Sequence, residues 1–318
     1  MPDSSLSLVI IIVILAIGFG IVNGYNDAAN AIAPAIGSRA VSPRDALAIA
    51  AVSNLAGAAT GTLVAKTIGK GILVPEAITY TSVIAGLISI IIWGTIATRL
   101  GLPISIHHGF IAGLAAAGLA LAGGKAVVWH VMQRILAAVI IAPSLGFAGG
   151  FVIIIGLYWL FRRGAPDRMR MVFGRLQYLT TAFMAYSHGK NDGQMPIGVI
   201  TMTLVIYYND PSLWDRLSIL NADTWWVIFI SALAISAGTA LGGRRVISTI
   251  GMRVATLRPE HGFASHASAA TVIEIASNVG MPVSTTHCIS ASVMGVGATK
   301  RLSAVRWGIA GNLSLIHI

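Results

Sequence analysis

The sequence predicts an all-α protein that crosses a membrane several times and consists of two related halves of opposite orientation. Three observations predict this fold class: long stretches without charge, basic residues gathered in short loops, and two polar motifs that each occur twice. Hydrophobic residues make up 56% of the 318 residues and charged residues 10%, whereas soluble domains carry roughly 25% charged residues. The composition therefore excludes an ordinary soluble domain.

Several stretches lack aspartate, glutamate, lysine and arginine over about 20 residues or more, the length that crosses a bilayer. The first of them has no basic segment ahead of it, so we expect a membrane span rather than a secretory signal peptide. We expect a multi-pass protein of the cell membrane. The uncharged stretches are Ser4–Asn26, Ala46–Ala65, Ala77–Thr98, Gly101–Gly124, Ile135–Phe161 and Thr224–Gly243.

The charged loops predict which ends of the spans are cytoplasmic. Arg162–Arg175 holds five arginines and one aspartate, and Gly243–His261 holds four arginines and one glutamate. Tyr207–Asp223 holds three aspartates and one arginine. Because short cytoplasmic loops are enriched in basic residues, the first two loops are expected inside and the third outside. This topology accounts for the net charge of +10, and we expect no nucleic acid partner.

Counting back from the basic loop at residues 162–175 gives five crossings in the first half and an outside N-terminus. The last of these is long for one helix, and "APSLGFAGG" is a candidate point for a split. An odd number of crossings means that the second half starts from the opposite face. The expected crossings are residues 6–38, 46–65, 81–98, 103–122 and 127–160.

These counts divide the chain into a first repeat (1–161), a cytoplasmic basic linker (162–175) and a second, inverted repeat (176–318). From Trp307 only 12 residues remain, which make roughly 18 Å of helix, too short for a bilayer core of about 30 Å. We therefore expect the last helix to be truncated.

Two motifs support a relation between the halves. "NGYNDAANAIAP" begins at Asn23, and its Asn-Asp pair returns in "SHGKNDGQMPIG", which begins at Ser187. "GLPISIHH" from Gly101 returns as "GMPVSTTH" from Gly280. Repeated polar motifs in halves of opposite orientation are typical of secondary transporters.

Polar residues inside a span predict a functional site. An aspartate in the bilayer centre costs at least about 2.5 kcal/mol on insertion scales, so Asp27 and Asp192 are expected to serve a function. Broken helices free backbone N–H and C=O groups that bind anions and cations. Glycines and prolines beside the two Asn-Asp pairs favour such breaks. These residues are Gly24, Pro34, Gly189, Gly193 and Pro196.

The second motif predicts helix starts inside the membrane. Pro103 and Pro282 each precede a serine and a new apolar run, an arrangement that suits a helix N-terminus. Ser284, Thr285 and Thr286 then present three hydroxyls beside free amide donors. We expect a tetrahedral oxyanion to bind there.

Together, these motifs resemble those of the inorganic phosphate transporter (PiT) family. "NGYNDAANA" and "SHGKNDGQ" are similar to the twin Asn-Asp signatures of that family, and "GLPISIHH" and "GMPVSTTH" to its two hairpin motifs. The resemblance covers nearly the whole chain. It implies an inverted-repeat carrier with broken helices or re-entrant hairpins, which moves inorganic phosphate by alternating access together with Na⁺ or H⁺.

The resemblance and the polar pattern together give a set of candidate site residues. Expected to bind substrate are Asn26, Asn30, Ser105, Asn191, Gln194, Ser284, Thr285 and Thr286. Expected to bind the coupling cation are Asp27, Asp192 and Glu274. Two roles remain open for Lys190: a counter-charge for the substrate, or a residue at the membrane interface. For Asn54 the two open roles are a site residue and a hydrogen-bonding residue between helices.

Two positions depart from the family pattern, because Ile106 and His107 stand where the family usually has hydroxyl residues. This leaves sulfate or another oxyanion as an alternative substrate, and an anion channel as an alternative mechanism. We expect no enzyme, cofactor or resident metal, because the histidines do not show zinc-type spacing and Cys288 is a lone cysteine. Expected partners are phosphate and membrane lipid, with a homodimer as an open possibility. The histidines considered are His107, His108, His188 and His287.

Overall fold

A computed structural model of the chain describes residues 6–254 and 256–308, and these residues form an almost wholly helical structure. Most of the segment expected to be a truncated last helix, 309–318, lies outside the described residues. The helices are α1 (Leu6–Gly37), α2 (Pro43–Ala59), α3 (Leu63–Gly71), α4 (Tyr80–Leu100), α5 (Ile106–Ala122), α6 (Trp129–Leu160), α7 (Pro166–Asp192), α8 (Gln194–Tyr208), α9 (Leu213–Arg216), α10 (Trp225–Leu241), α11 (Arg244–Ser248), α12 (Pro259–Asn278) and α13 (Thr285–Ala298).

Four helices in the described part of the chain are long and apolar enough to cross a membrane: α1, α4, α5 with its extension to Ala126, and α6. Two bent pairs, α2 with α3 and α10 with α11, raise the number to six if each pair is one span. Large apolar side chains such as Ile140 and Trp159 are exposed on the outer surface, where lipid replaces water. This confirms the multi-pass membrane fold.

The two bent pairs occupy corresponding places in the two halves. The bend is 66° between α2 and α3, and 64° between α10 and α11. In the first half the bent pair follows α1, which carries Asn26 and Asp27; in the second half it follows α7, which ends with Asn191 and Asp192, and then α8 and the short α9. Each bent pair is followed by a helix, α4 or α12, that ends at a Gly-x-Pro-x-Ser motif. With α7 and α8 together in the place of α1, the order of elements occurs twice.

The hairpins enter from opposite faces of the molecule. Residues just before α4 line a cavity with the 205–215 segment, at the end of α8. Residues just before α12 line another cavity with the start of α7 and the end of α1. Because α7 and α8 lead from the second face to the first, the two hairpins point in opposite directions. The inverted repeat is therefore present in the structure.

Close helix crossings repeat with the same symmetry. In the α1–α10 crossing, a Cβ on Gly24 would collide with the carbonyl oxygen of Ile235, and one on Gly238 with that of Ile21. The α7–α2 crossing repeats this with Gly189 against the carbonyl of Asn54 and Gly57 against that of Tyr186. Gly189 and Gly57 are the repeat counterparts of Gly24 and Gly238, so glycines bring the helix backbones together at both crossings.

We expect Gly57→Ala to lower the thermal stability of the purified protein, because the added methyl group meets the Tyr186 backbone, which cannot rotate away. Gly156→Ala in α6 is the matched control, since no atom of the described part of the chain lies within 4 Å of a Cβ at that position. That control should leave the free energy of unfolding unchanged or raise it by up to about 1 kcal/mol, because alanine is favoured over glycine inside a helix by about that amount. Equal unfolding temperatures for the two variants would contradict the crossing described here.

The expectations about helix breaks are wrong. α1 runs unbroken through Gly24 and Pro34 to Gly37, and α6 runs through "APSLGFAGG" without a split. In both helices the glycines serve close packing: Gly146 and Gly150 of α6 lie against the backbone of α13. Near the second Asn-Asp pair α7 ends at Asp192 and α8 begins at Gln194, but Gly193 between them has a helical φ of −65° and ψ of −18°, and its N–H bonds to the Gly189 carbonyl at 2.9 Å, so the backbone stays helical there too.

Candidate functional site

Both hairpin motifs form the predicted helix starts. Ser105 caps α5 by accepting from the backbone N–H of His108 at 3.3 Å, and Ser284 caps α13 by accepting from that of His287 at 3.2 Å. The glycine that opens each motif has a positive φ, 74° at Gly101 and 69° at Gly280, in the left-handed region that favours glycine. Each motif thus ends one helix, returns as extended chain and starts the next.

The asparagines of the two Asn-Asp pairs hold the hairpins in place. The amide of Asn26 donates to the hydroxyl of Thr98 at 2.7 Å, near the end of α4. The side chain of Asn191 lies near the end of α12, and in the amide orientation that gives both of its ends a partner its oxygen accepts from the Ser277 hydroxyl at 2.9 Å, while its nitrogen donates to the Val283 carbonyl at 3.1 Å and to Oδ1 of Asp192 at 3.2 Å. The Thr98 hydroxyl donates to the Gly94 carbonyl and therefore accepts from Asn26. These contacts favour a positioning role for Asn26, whereas Asn191 contacts both its hairpin and the carboxylate of Asp192.

The aspartates lie close together in the interior. One carboxylate oxygen of Asp27, one of Asp192 and one nitrogen of His188 lie within 4.8 Å of one another. Nε2 of His188 is 3.4 Å from Asp192 and 4.0 Å from Asp27. Each of the three residues is at most 2% exposed, so the cluster is closed to solvent in this conformation.

The hairpins add one residue each to this cluster, and each reaches across to the other repeat. The Thr286 hydroxyl lies 3.3 Å from Oδ1 of Asp27. His107, the repeat counterpart of Thr286, has Nδ1 3.5 Å from Oδ1 of Asp192. The histidine that replaces a hydroxyl residue thus keeps the corresponding contact. Among the residues that the structure describes, its buried Nε2 has no hydrogen-bond partner.

Asn30 joins the hydroxyls of the second hairpin. Its amide nitrogen lies 3.2 Å from the Thr285 hydroxyl and 2.9 Å from the Thr286 hydroxyl. Thr285 lies 3.4 Å from Oδ2 of Asp192. Three predicted binding residues and both aspartates therefore meet at one place.

A chain of hydrogen bonds fixes the tautomer of His188. The Thr239 hydroxyl donates to the Ile235 carbonyl and so accepts from the Asn54 amide at 2.8 Å. This turns the Asn54 oxygen toward Nδ1 of His188, 2.8 Å away. Nδ1 therefore carries the proton. Nε2 then faces both carboxylates and is the ring nitrogen available to a cation that binds between them.

Two predicted site residues lie outside the cluster. Glu274 forms an ion pair with Lys190 and accepts from Asn278 at 3.2 Å. Gln194 accepts from the Ala65 N–H at 3.1 Å and donates to the Lys190 carbonyl, so it connects the start of α3 to the end of α7. Neither side chain has a hydrogen bond to the aspartates among the described residues. Lys190 is engaged by Glu274, which favours a structural pair.

Sequence reasoning missed the histidines as members of the site. His188 stands four residues before Asp192, one helical turn away, and that spacing was the available signal. For His107 the signal was its place in the first hairpin motif, at the position that Thr286 occupies in the second, although its partner Asp192 lies in the other repeat.

Comparison with known proteins agrees with this arrangement. A family model described as "Phosphate transporter family" matches residues 23–171 and 161–318. A "Probable low-affinity inorganic phosphate transporter" of Bacillus subtilis is 38% identical over 99% of this chain and 93% of its own length. One with the same description from Rhizobium meliloti is 34% identical over 98% of this chain and 92% of its own.

A solved structure, "The sodium-dependent phosphate transporter", is similar over 98% of this chain and 94% of its own, with a TM-score of 0.84 and 25% identity. The relatives named in these comparisons are transporters, which accords with a transport role rather than catalysis. With the matching family model, the full-length relatives and the paired motifs all in agreement, this chain is a member of the phosphate transporter family.

Proposed function

We propose that this protein takes up inorganic phosphate by alternating access, driven by a cation that binds between Asp27, His188 and Asp192. The observation that carries the proposal is the pair of buried carboxylates beside the hydroxyls of Thr285 and Thr286. A phosphate anion and two carboxylates repel one another, so the site requires positive charge before the anion can enter.

The size of this repulsion supports obligatory coupling. The ligand atoms of the cluster lie within 4.8 Å of one another, and two unit charges at that separation interact by roughly 3.5 kcal/mol at the effective dielectric constant of about 20 that suits protein sites. An anion held at a similar distance from one carboxylate meets repulsion of this order. This is more than a hundredfold in affinity, at 1.4 kcal/mol for each factor of ten. A cation that enters the cluster removes the repulsion, and the anion in turn strengthens cation binding, since coupling is reciprocal.

The hydroxyls supply the anion contacts in this proposal. Thr285 and Thr286 now face carboxylates, and Asn30 holds their oxygens. With the carboxylates neutralised by the cation, both hydroxyls and the free N–H groups at the start of α13 are available to phosphate oxygens. His107 supplies a nitrogen donor in place of the hydroxyl missing from the first hairpin.

Uptake of labelled phosphate into proteoliposomes tests the proposal, with Na⁺ and H⁺ gradients imposed separately and sulfate as competitor. One gradient should drive the internal phosphate concentration above the external one, and excess sulfate should compete poorly. Uptake that only equalises the two concentrations would favour an anion channel. Strong competition by sulfate would favour the alternative substrate.

Asn54→Leu should raise the cation concentration for half-maximal uptake by about 10- to 100-fold, as expected when a partner that orients a ligand is removed. The substitution leaves Nδ1 of His188 without its acceptor and frees the ring to turn away from the aspartates. Ser236→Ala is the control, because Ser236 bonds to the Ala51 carbonyl at the same α2–α10 contact and does not touch His188. Equal cation dependence in the two variants would contradict the role of Asn54.

A further inference from the structure

A cavity of about 750 Å³ opens on the basic face, between the end of α1, the start of α7 and the segment that leads into α12. Its wall contains four arginines, and none of its described lining residues is acidic. The ion pairs found among the described residues involve other side chains. The four arginines are Arg39, Arg170, Arg175 and Arg258.

Membrane topology explains why arginines are numerous on this face, but not why these four converge. Arg162 and Arg168 belong to the same basic loop as Arg170 and Arg175 but do not line the cavity. The four that do come from three segments: Arg39 follows α1 in the first repeat, Arg170 and Arg175 lie in α7, and Arg258 precedes α12. Guanidinium groups on several walls of one cavity are suited to an anion with several oxygens.

The backbone of Arg39 provides a second observation. Its φ is 60°, in the left-handed region that glycine adopts freely and that side chains adopt at a cost. An arginine is nevertheless present at this helix end, with its side chain exposed at the cavity. A residue kept in an unfavourable conformation is consistent with a role for its side chain.

The cavity lies directly over a polar contact that joins the repeats. The amide nitrogen of Gln177 in α7 donates to the Ser38 hydroxyl at 2.8 Å and to the Pro259 carbonyl at 2.6 Å. This joins the end of α1 to the starts of α7 and α12. Opening the central cluster toward this face would require these three segments to separate.

We propose that the arginine cavity binds a phosphate-group anion from the cytoplasm and thereby keeps the cytoplasmic side closed. An anion bridging Arg39, Arg175 and Arg258 adds contacts that exist only while the three segments are together. Internal phosphate, nucleotides or headgroups of anionic lipid share the chemistry that these arginines recognise. The proposal rests on the proposed function, because the regulated step is phosphate uptake.

Direct binding can be measured without transport, using inorganic pyrophosphate and the purified protein in a neutral detergent. The variant that combines Arg170→Gln with Arg175→Gln should raise the Kd for pyrophosphate at least about tenfold, because it loses two charge-assisted hydrogen bonds. Each of these bonds contributes less to binding than a buried one, since both arginines are exposed to water. The control combines Arg162→Gln with Arg168→Gln, which removes the same charge from the same loop and should leave the Kd unchanged.

Arg39→Gly separates the proposed role from a structural one. It removes a cavity arginine and relieves the left-handed backbone, so pyrophosphate binding should weaken while the unfolding temperature stays equal or rises. If binding is unchanged in this variant and in the Arg170–Arg175 double variant, the proposal is wrong.

The transport arm uses proteoliposomes of neutral lipid with pyrophosphate sealed inside. Internal pyrophosphate should slow the initial uptake of labelled phosphate in the parent protein, and the Arg170–Arg175 double variant should need about tenfold more of it. Inhibition that appears with anionic lipid in the absence of pyrophosphate, and is lost in the same double variant, would identify the headgroup as the ligand. Equal inhibition of both double variants would overturn the proposal. If the parent shows no uptake at all, the proposed function fails, and the binding measurement still decides on the site.

Discussion

Asp192→Asn is expected to abolish the accumulation of phosphate against its gradient, with an initial rate at least about a hundredfold below that of the parent. The carboxylate faces two imidazoles, with His188 at 3.4 Å and His107 at 3.5 Å, and is buried. An amide has nearly the same shape but carries no charge, so it can neither hold a cation strongly nor carry a proton. The hundredfold corresponds to about 3 kcal/mol, the order of the charge interaction lost at this site.

The same loss is expected for Asp27→Asn, because Asp27 contributes the other carboxylate of the cluster. Asp223→Asn is the control: the chemical change is identical, and Asp223 lies on an exposed loop. Equal protein levels in the membrane must be shown for all three variants. Accumulation at the parent rate in both buried variants would mean that the cation binds elsewhere.

The second large effect is expected at the second hairpin. Removing both hydroxyls by Thr285→Ala and Thr286→Ala should weaken phosphate binding by roughly tenfold to a thousandfold, since a hydrogen bond to a charged partner contributes about 1.5–3 kcal/mol. The lower end of this range corresponds to the loss of one hydrogen bond, and the upper end to the loss of two whose contributions are partly additive. Equilibrium binding of labelled phosphate to the purified protein measures the change.

Three further variants sharpen this measurement. Thr203→Ala removes a buried hydroxyl that, among the described residues, bonds to the Val199 carbonyl of its own helix, and this variant should bind phosphate like the parent. Thr286→Ser keeps the hydroxyl that Thr286→Ala removes, and should therefore keep most of the parent's affinity for phosphate. Ser105→Ala should cost less than the double change, because Ser105 caps α5. Normal binding by the double variant together with weak binding by Ser105→Ala would place the tighter half of the site in the first hairpin.

Much of the fold could be predicted from the sequence, because the physics of a bilayer leaves few alternatives. Uncharged stretches of span length, the basic loops and the paired motifs predicted an inverted helical repeat, and the helix starts at Ser105 and Ser284 are present. The mistakes concerned glycine. Gly24 and Gly146 suggested breaks, yet both allow a neighbouring backbone to approach closely, and that depends on partners distant in the chain.

The site was harder to predict for the same reason. The motifs indicated Asp27, Asp192 and Thr286, but not which polar side chains face the cluster and which hold the hairpins. Asn26 and Asn191 have the same residue type and occupy equivalent places in the two motifs, yet the Asn26 amide bonds to Thr98, whereas the Asn191 amide lies 3.2 Å from Asp192. Contacts made between the repeats cannot be derived from spacing within one repeat.

The central claim is that the anion binds where the hairpins of the two repeats meet, beside a cation held by the two aspartates. Arsenate is a tetrahedral anion like phosphate, and arsenic scatters X-rays anomalously, so crystals grown with arsenate and the coupling cation can locate the anion directly. The account predicts an anomalous peak within about 4 Å of the Thr285 and Thr286 hydroxyls, the distance of a hydrogen-bonded arsenate oxygen plus one As–O bond. A peak confined to the arginine cavity, or one on the far side of the hairpins from Asp27 and Asp192, would contradict it.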